Sequence, residues 1–237
     1  MIRRLTILIN ITIAAALNLA AQISFDEIKR EAPDLDSIYT EITDRTSPYY
    51  YPRLMEEFER NDTTMTLDKY RRLYLGAMLQ EDYDAYRPSA YRERRKMPQF
   101  NARNLTGAEC DTIIKYAAKA LADNPFDLGE MLNMSRAQRS RGNNALADIW
   151  NYKLRMLLMA IISTGTGADE ENAWYVIENS HEYILLGALG LTVKNHLFIE
   201  PCYEYISVTD PDGNALGGFY FNIQTNLEEY WRKHPAE

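Results

Sequence analysis

The clearest hydrophobic pattern lies in the middle of the chain and predicts three successive helices. After a capping box formed by Thr106 and Glu109, apolar residues recur at helical spacing. The predicted helices span about 107–123, 126–140 and 144–163. Short polar turns separate them, so we expect neighbouring helices to pack as antiparallel hairpins.

The last half of the third predicted helix has the pattern of a core element. From Leu154 to Ile162 the helix is apolar on nearly all sides, which is typical of a helix surrounded by other elements. Leu157 and Ile161 lie four residues apart there. We expect both to be buried between the earlier helices and a C-terminal sheet.

Weaker patterns before this segment predict shorter helices. Pro52 and the N-cap Thr66 mark the starts of helices over about 52–60 and 67–80. Residues 22–50 predict two short helices interrupted by Pro33.

After Ile162 the pattern changes from helical to mixed. A polar, glycine-containing loop spans 163–171 and precedes a possible strand over 174–177, a short helix over 182–189 and a strand over 197–199. Two alternating segments flank a turn with the composition of a hairpin loop. They are Tyr203–Thr209 and 219–223, around Asp210-Pro-Asp-Gly-Asn214. A final helix is predicted from Thr225, with Glu228 completing a capping box.

These elements predict an α+β fold, mainly α, with antiparallel helix hairpins followed by a small antiparallel β-sheet. We expect a helical region over 22–165 and a small α/β region over 166–237, packed together as one compact unit. The hairpins resemble tetratricopeptide helix pairs over little more than one repeat. Asn151 departs from that pattern, because an aromatic residue is usual there. The resemblance rests on Ala117, Ala120, Pro125, Gly142 and Ala147.

Residues 1–21 have the composition of a signal peptide. Arg3 and Arg4 precede an apolar stretch that is too short and too polar for a good membrane span, and small residues lead to Gln22. We therefore expect export to the periplasm or beyond, with cleavage near Ala21. The alternative is an N-terminal core helix.

Charge narrows the choice of partners for the exported chain. Removal of the two arginines leaves 24 basic and 34 acidic residues, a net charge of about −10. Such a chain repels nucleic acid, and we expect no stable membrane anchor after cleavage. The basic run Arg92–Lys96 is predicted to be a solvated loop.

Cys110 and Cys202 are the only cysteines, and either a disulfide or two buried thiols fits an oxidising compartment.

Several short motifs resemble an exported family of gut Gram-negative anaerobes catalogued as domain of unknown function 4919. The family resemblance implies helices followed by a small sheet, and it implies no activity, cofactor or catalytic residue. The motifs are Tyr51-Pro-Arg-Leu54, Tyr70-Arg-Arg-Leu-Tyr-Leu-Gly76, Ala120-Leu-Ala-Asp-Asn-Pro125, Thr164-Gly-Thr-Gly167 with Ala173, Val176 and Ile177, Glu182-Tyr183, and Phe219-Tyr-Phe-Asn222.

The first candidate binding site is the loop formed by Thr164, Gly165, Thr166 and Gly167. Its backbone N–H groups would suit an anion if the loop opened a helix. It has neither the lysine of a phosphate-binding loop nor the spacing of a dinucleotide fingerprint. The competing interpretation is a connecting turn in which Gly165 ends the long helix.

The second candidate is His181, with Glu182 and Tyr183 beside it. A carboxylate next to a histidine suits a general base, whereas a buried structural histidine is the commoner arrangement. His181, His196, Glu200 and Cys202 are ligand-type residues, but their spacing matches no zinc signature. The sequence therefore predicts no metal site and no cofactor.

Two functional hypotheses follow. The first is an exported binding or scaffold protein with a protein or peptide partner, because tyrosines are abundant and no chemical signature stands out. The second is a periplasmic hydrolase whose site lies where the 163–171 loop and His181–Tyr183 face the C-terminal hairpin. A pair of acidic side chains in a cleft would serve such an enzyme.

Overall fold

The computed structural model describes residues 28–87 and 104–235, which form eight helices and four strands. The helices are α1 (Leu35–Thr43), α2 (Tyr51–Glu59), α3 (Leu67–Ala77), α4 (Gly107–Asp123), α5 (Leu128–Ser140), α6 (Asn144–Ile162), α7 (Ser180–Ala188) and α8 (Gln224–Lys233). The strands are β1 (Trp174–Tyr175), β2 (Thr192–Ile199), β3 (Tyr203–Thr209) and β4 (Ala215–Asn222). The signal-peptide and basic-run predictions concern residues outside the described ranges.

The fold class is α+β and mainly α, as the sequence predicts. The sheet has the order β1-β4-β3-β2. It is mixed, which corrects the expectation of an antiparallel sheet. β2, β3 and β4 are antiparallel neighbours, but β1 pairs in parallel with β4. Because α7, β2 and β3 lie between β1 and β4 in the chain, β4 can return beside β1 in the same direction.

Side-chain caps mark the starts of four of the eight described helices, α1, α3, α4 and α5. Thr106 and Glu109 form the predicted capping box, and Thr66 accepts a hydrogen bond from the Lys69 N–H group. The prediction of a capping box at Thr225 was wrong. α8 begins one residue earlier and has no side-chain cap, and Glu228 instead accepts a hydrogen bond from the Gln224 amide.

The other corrections concern element lengths. Of the two short helices predicted on either side of Pro33, the first does not extend into the described residues 28–34, because these are not helical. β2 begins at Thr192, earlier than the predicted 197–199. Its first residues are mostly polar and exposed, so they give no strand pattern in the sequence, and their pairing with β3 is what makes them part of the strand. β4 likewise begins earlier than predicted, at Ala215.

Helix α6 lies at the centre of the main core. Leu157 and Ile161 are fully buried, as predicted, within a cluster that includes Leu73 of α3, Leu186 of α7 and Phe221 of β4. The helical region and the sheet region therefore share this hydrophobic core.

Both cysteines are free and buried. Cys110 packs in a small separate cluster on α4, and Cys202 lies in the turn between β2 and β3. Along residues 28–87 and 104–235, no helix is both long enough and apolar enough to cross a bilayer.

Candidate functional site

Three ionisable side chains from separate elements meet beside the sheet. Glu182 comes from the first turn of α7, His196 from β2 and Glu204 from β3. One carboxylate oxygen of each glutamate and one ring nitrogen of His196 all lie within 4.8 Å of one another. We call these three residues the carboxyl–histidine cluster.

Strand register explains why two of them share a face. His196 pairs directly with Ile206, and Glu204 is two residues from Ile206 along β3. Because side chains alternate along a strand, His196, Ile206 and Glu204 all point to the same side of the sheet. Helix α7 packs against β2 and adds Glu182 to this face.

Two hydrogen bonds and one close His196–Glu204 contact hold the exposed part of the cluster. His196 Nε2 lies 3.0 Å from Glu204 Oε2, and His196 Nδ1 lies 2.8 Å from the Tyr183 hydroxyl. The Asn179 amide donates to Glu204 Oε1 at 2.8 Å. The His196 side chain is about one third exposed (33%), so solvent contacts the cluster at His196.

Glu182 is the unusual member of the cluster. Its side chain is fully buried, no N–H or hydroxyl donor among the described residues reaches either carboxyl oxygen, and its polar partner is the Glu204 carboxyl. Burial, together with the neighbouring Glu204 carboxyl, raises the pKa of Glu182 to about 10. At neutral pH Glu182 is therefore protonated.

Polar and aromatic side chains from three other segments surround this region. The Tyr83 hydroxyl lies 2.6 Å from the Ile177 carbonyl oxygen and 2.8 Å from Asn226 Oδ1 on α8. Burial and the Glu204 and Glu182 carboxyls raise the pKa of Tyr86. The Tyr86 ring contacts Tyr230 edge-on at 5.3 Å, so α8 also borders the site.

His181 lies next to the cluster in sequence but points elsewhere. It is fully buried, and its Nδ1 is 2.8 Å from the hydroxyl of Tyr74, which also accepts the Ile177 N–H group. Burial lowers the pKa of His181 to about 3. It is therefore neutral and joins α7 to α3, while its neighbours Glu182 and Tyr183 contribute to the cluster.

The 163–171 loop lies on β1 and β4 and is closed by its own backbone. The N–H groups of Thr164 and Gly165 donate to carbonyls of α6, and those of Thr166 and Gly167 donate to the Asn172 carbonyl. The Trp174 indole donates to Gly165. An anion would have to compete with these internal hydrogen bonds.

Sequence reasoning singled out His196 but placed it with the wrong neighbours. Glu200 is exposed and Cys202 is buried in the turn, whereas Glu204 and Glu182 adjoin His196. One local signal could have found Glu204. It is a carboxylate on the same alternating face of β3 as the apolar residues Ile206 and Val208.

The opposite sheet face is rich in tyrosine. Leu197, Tyr205 and Tyr220 pair across three strands, and the two tyrosine rings are 4.9 Å apart. Tyr203 and Tyr175 lie on the same face, and all four tyrosines are half-exposed. This face is in partial contact with solvent, as one face of an antiparallel sheet commonly is.

Fold and site together define a mainly helical α+β protein with a buried carboxyl pair beside a histidine. The family model described as Domain of unknown function (DUF4919) matches residues 36–232. The match covers most of the chain, so the chain belongs to this family, as its motifs indicated. No curated protein and no solved structure matched the chain.

Proposed function

We propose that the chain is an exported binding protein and that the carboxyl–histidine cluster is its binding site. One observation carries the proposal: Glu182 is fully buried, no described donor reaches it, and a second carboxyl lies beside it. Burying such a group opposes folding. Proteins keep costly arrangements of this kind mainly where function requires them.

The helical region supports the site as a rigid frame. Helices α4, α5 and α6 are joined by short turns and pack consecutively, in keeping with antiparallel hairpins of the tetratricopeptide-like kind. Helix α5 also packs on α7, which carries Glu182. The frame thus holds the buried carboxyl against the sheet.

A protein or peptide partner has a separate candidate surface, the tyrosine-rich sheet face. Tyrosines offer large contact area with few rotatable bonds and a polar tip. β2 lies at one edge of the described sheet, where an extended segment can add as a further strand.

A periplasmic hydrolase is the second candidate function. Glu182, a carboxyl held in its protonated form, lies beside Glu204, which accepts an amide hydrogen bond. A carboxyl that is kept protonated can act as a general acid while a neighbouring side chain acts as the base. This function predicts turnover in a broad hydrolase screen that a folded Glu204→Gln variant lacks.

The binding-site proposal is tested through the stability of the free protein. In chelator-treated protein at pH 7.5, Glu182→Leu and Glu182→Gln should raise the free energy of unfolding by about 1–3 kcal/mol, because they remove a buried carboxyl that folding forces to stay protonated. Urea unfolding measures the change.

Glu130→Gln is the matched control. Glu130 is also buried, but its carboxyl accepts a hydrogen bond from Asn133. Its replacement should lower the free energy of unfolding by about 0.5–1.5 kcal/mol. A similar loss in both Glu182 variants would show that Glu182 is structural, and the binding site would then lie elsewhere.

A further inference from the structure

The dimensions of the carboxyl–histidine cluster suit a small cation. A tetrahedral metal ion bound at about 2.0–2.2 Å holds its ligands about 3.4 Å from one another. His196 Nε2 and Glu204 Oε2 are 3.0 Å apart, and all three donor atoms lie within 4.8 Å. A coordination shell would require the most separated of these atoms to approach from within 4.8 Å to about 3.4 Å.

Glu182 supplies an independent indication of a ligand. Its carboxyl is fully buried, and one of its oxygens lies within 4.8 Å of ligand atoms of Glu204 and His196. No described donor satisfies its two oxygens. A cation between the three side chains would take the place of the proton that Glu182 shares with Glu204, and it would give these oxygens a partner that no N–H or hydroxyl group of the described residues provides.

We propose that Glu182, His196 and Glu204 bind one divalent metal ion, with Zn²⁺ the best fit. The inference rests on the proposed function, since it names the ligand of the same site. One imidazole nitrogen and two carboxylate oxygens form a donor set that zinc accepts, whereas calcium prefers six to eight oxygens. Two carboxylates balance the charge of a divalent ion.

The residues around the cluster are arranged as supports for metal ligands. With the metal on Nε2, the Nδ1–H group of His196 donates to the Tyr183 hydroxyl and fixes the ring. The Asn179 amide donates a hydrogen bond to Glu204 Oε1, while Oε2 is the oxygen that contacts His196. The Asn226 amide in turn lies 3.5 Å from Asn179 Oδ1. Three protein ligands leave a fourth position on the exposed side, beside His196.

Isothermal titration of the chelator-stripped protein with zinc chloride tests the proposal. One ion should bind per chain. His196→Ala and Glu204→Gln should weaken binding at least about 100-fold, and Asn179→Ala about tenfold, since it removes only a support. The matched controls His234→Ala and Glu200→Gln replace exposed residues of the same types and should bind as the wild type does.

Cobalt absorption identifies the ligands in the same protein. The proposed site predicts a tetrahedral cobalt spectrum without a thiolate charge-transfer band, and an unchanged spectrum in Cys202→Ser. A thiolate band, or affinity that survives both His196→Ala and Glu204→Gln, would overturn the metal site. So would an absence of binding to zinc and cobalt.

The two proposals fail in different ways. If Glu182→Leu stabilises the free protein but no metal binds, the cluster is a site for another ligand. If the Glu182 variants are destabilised, the binding site itself is refuted. Circular dichroism of each variant separates lost binding from lost folding.

Discussion

At the scale of single residues, Glu182 makes stability depend on pH. Its ordinary pKa is 4.5, and burial beside Glu204 raises it to about 10 in the folded protein. Between these values the folded state holds a proton that the unfolded chain has released. This contribution to stability is complete below pH 4.5 and is lost as pH rises towards 10, by at most about 1.4 kcal/mol per pH unit.

Urea unfolding at pH 5.5 and pH 8, with chelator present, measures this effect. The Glu182→Gln variant has no ionisable group at this position. Its free energy of unfolding relative to that of the wild type should therefore increase with pH. His196 and Glu204 face the same carboxyl and remain in both proteins, so the difference between the two profiles reports the titration of Glu182 together with its coupling to these neighbours. Parallel pH profiles for the two proteins would contradict the raised pKa.

At the scale of elements, the second half of α6 lies inside the main core. Leu157 and Ile161 are fully buried in it, whereas Leu146 near its start is 47% exposed. Truncation of either buried side chain to Ala should cost about 2–5 kcal/mol, through lost transfer free energy and the cavity left behind.

Leu146→Ala is the control in the same helix and should cost less than about 1 kcal/mol. Chemical denaturation of the three variants compares them directly. If the two buried positions are as tolerant as Leu146, α6 is not the centre of the core.

At the scale of the whole molecule, we propose that the protein is exported and that the carboxyl–histidine cluster works outside the cytoplasm. The signal-peptide composition of residues 1–21 predicts a mature N-terminus near Gln22. Mass spectrometry of the periplasmic fraction should find that terminus. Recovery of the intact chain from the cytoplasm would contradict export and the proposal of an exported binding protein.

The sequence alone determined the local structure, because local signals act over a few residues. The capping box at Thr106 and Glu109, the apolar surface of α6 and the turn at 210–214 each specify an element within one short segment. These signals were enough for the fold class and for the burial of Leu157 and Ile161. They failed where strands depend on partners, as in the polar first half of β2.

Only the tertiary structure decided the site. Glu182, His196 and Glu204 are separated by 14 and 8 positions, and no fixed spacing links a helix start to two strands. Their meeting depends on the register of β2 on β3 and on the packing of α7 against the sheet. The same packing turned His181 towards Tyr74 and left the Glu182 carboxyl without a donor among the described residues. Local patterns carry no information about such long-range contacts, because those contacts arise only when the elements pack together.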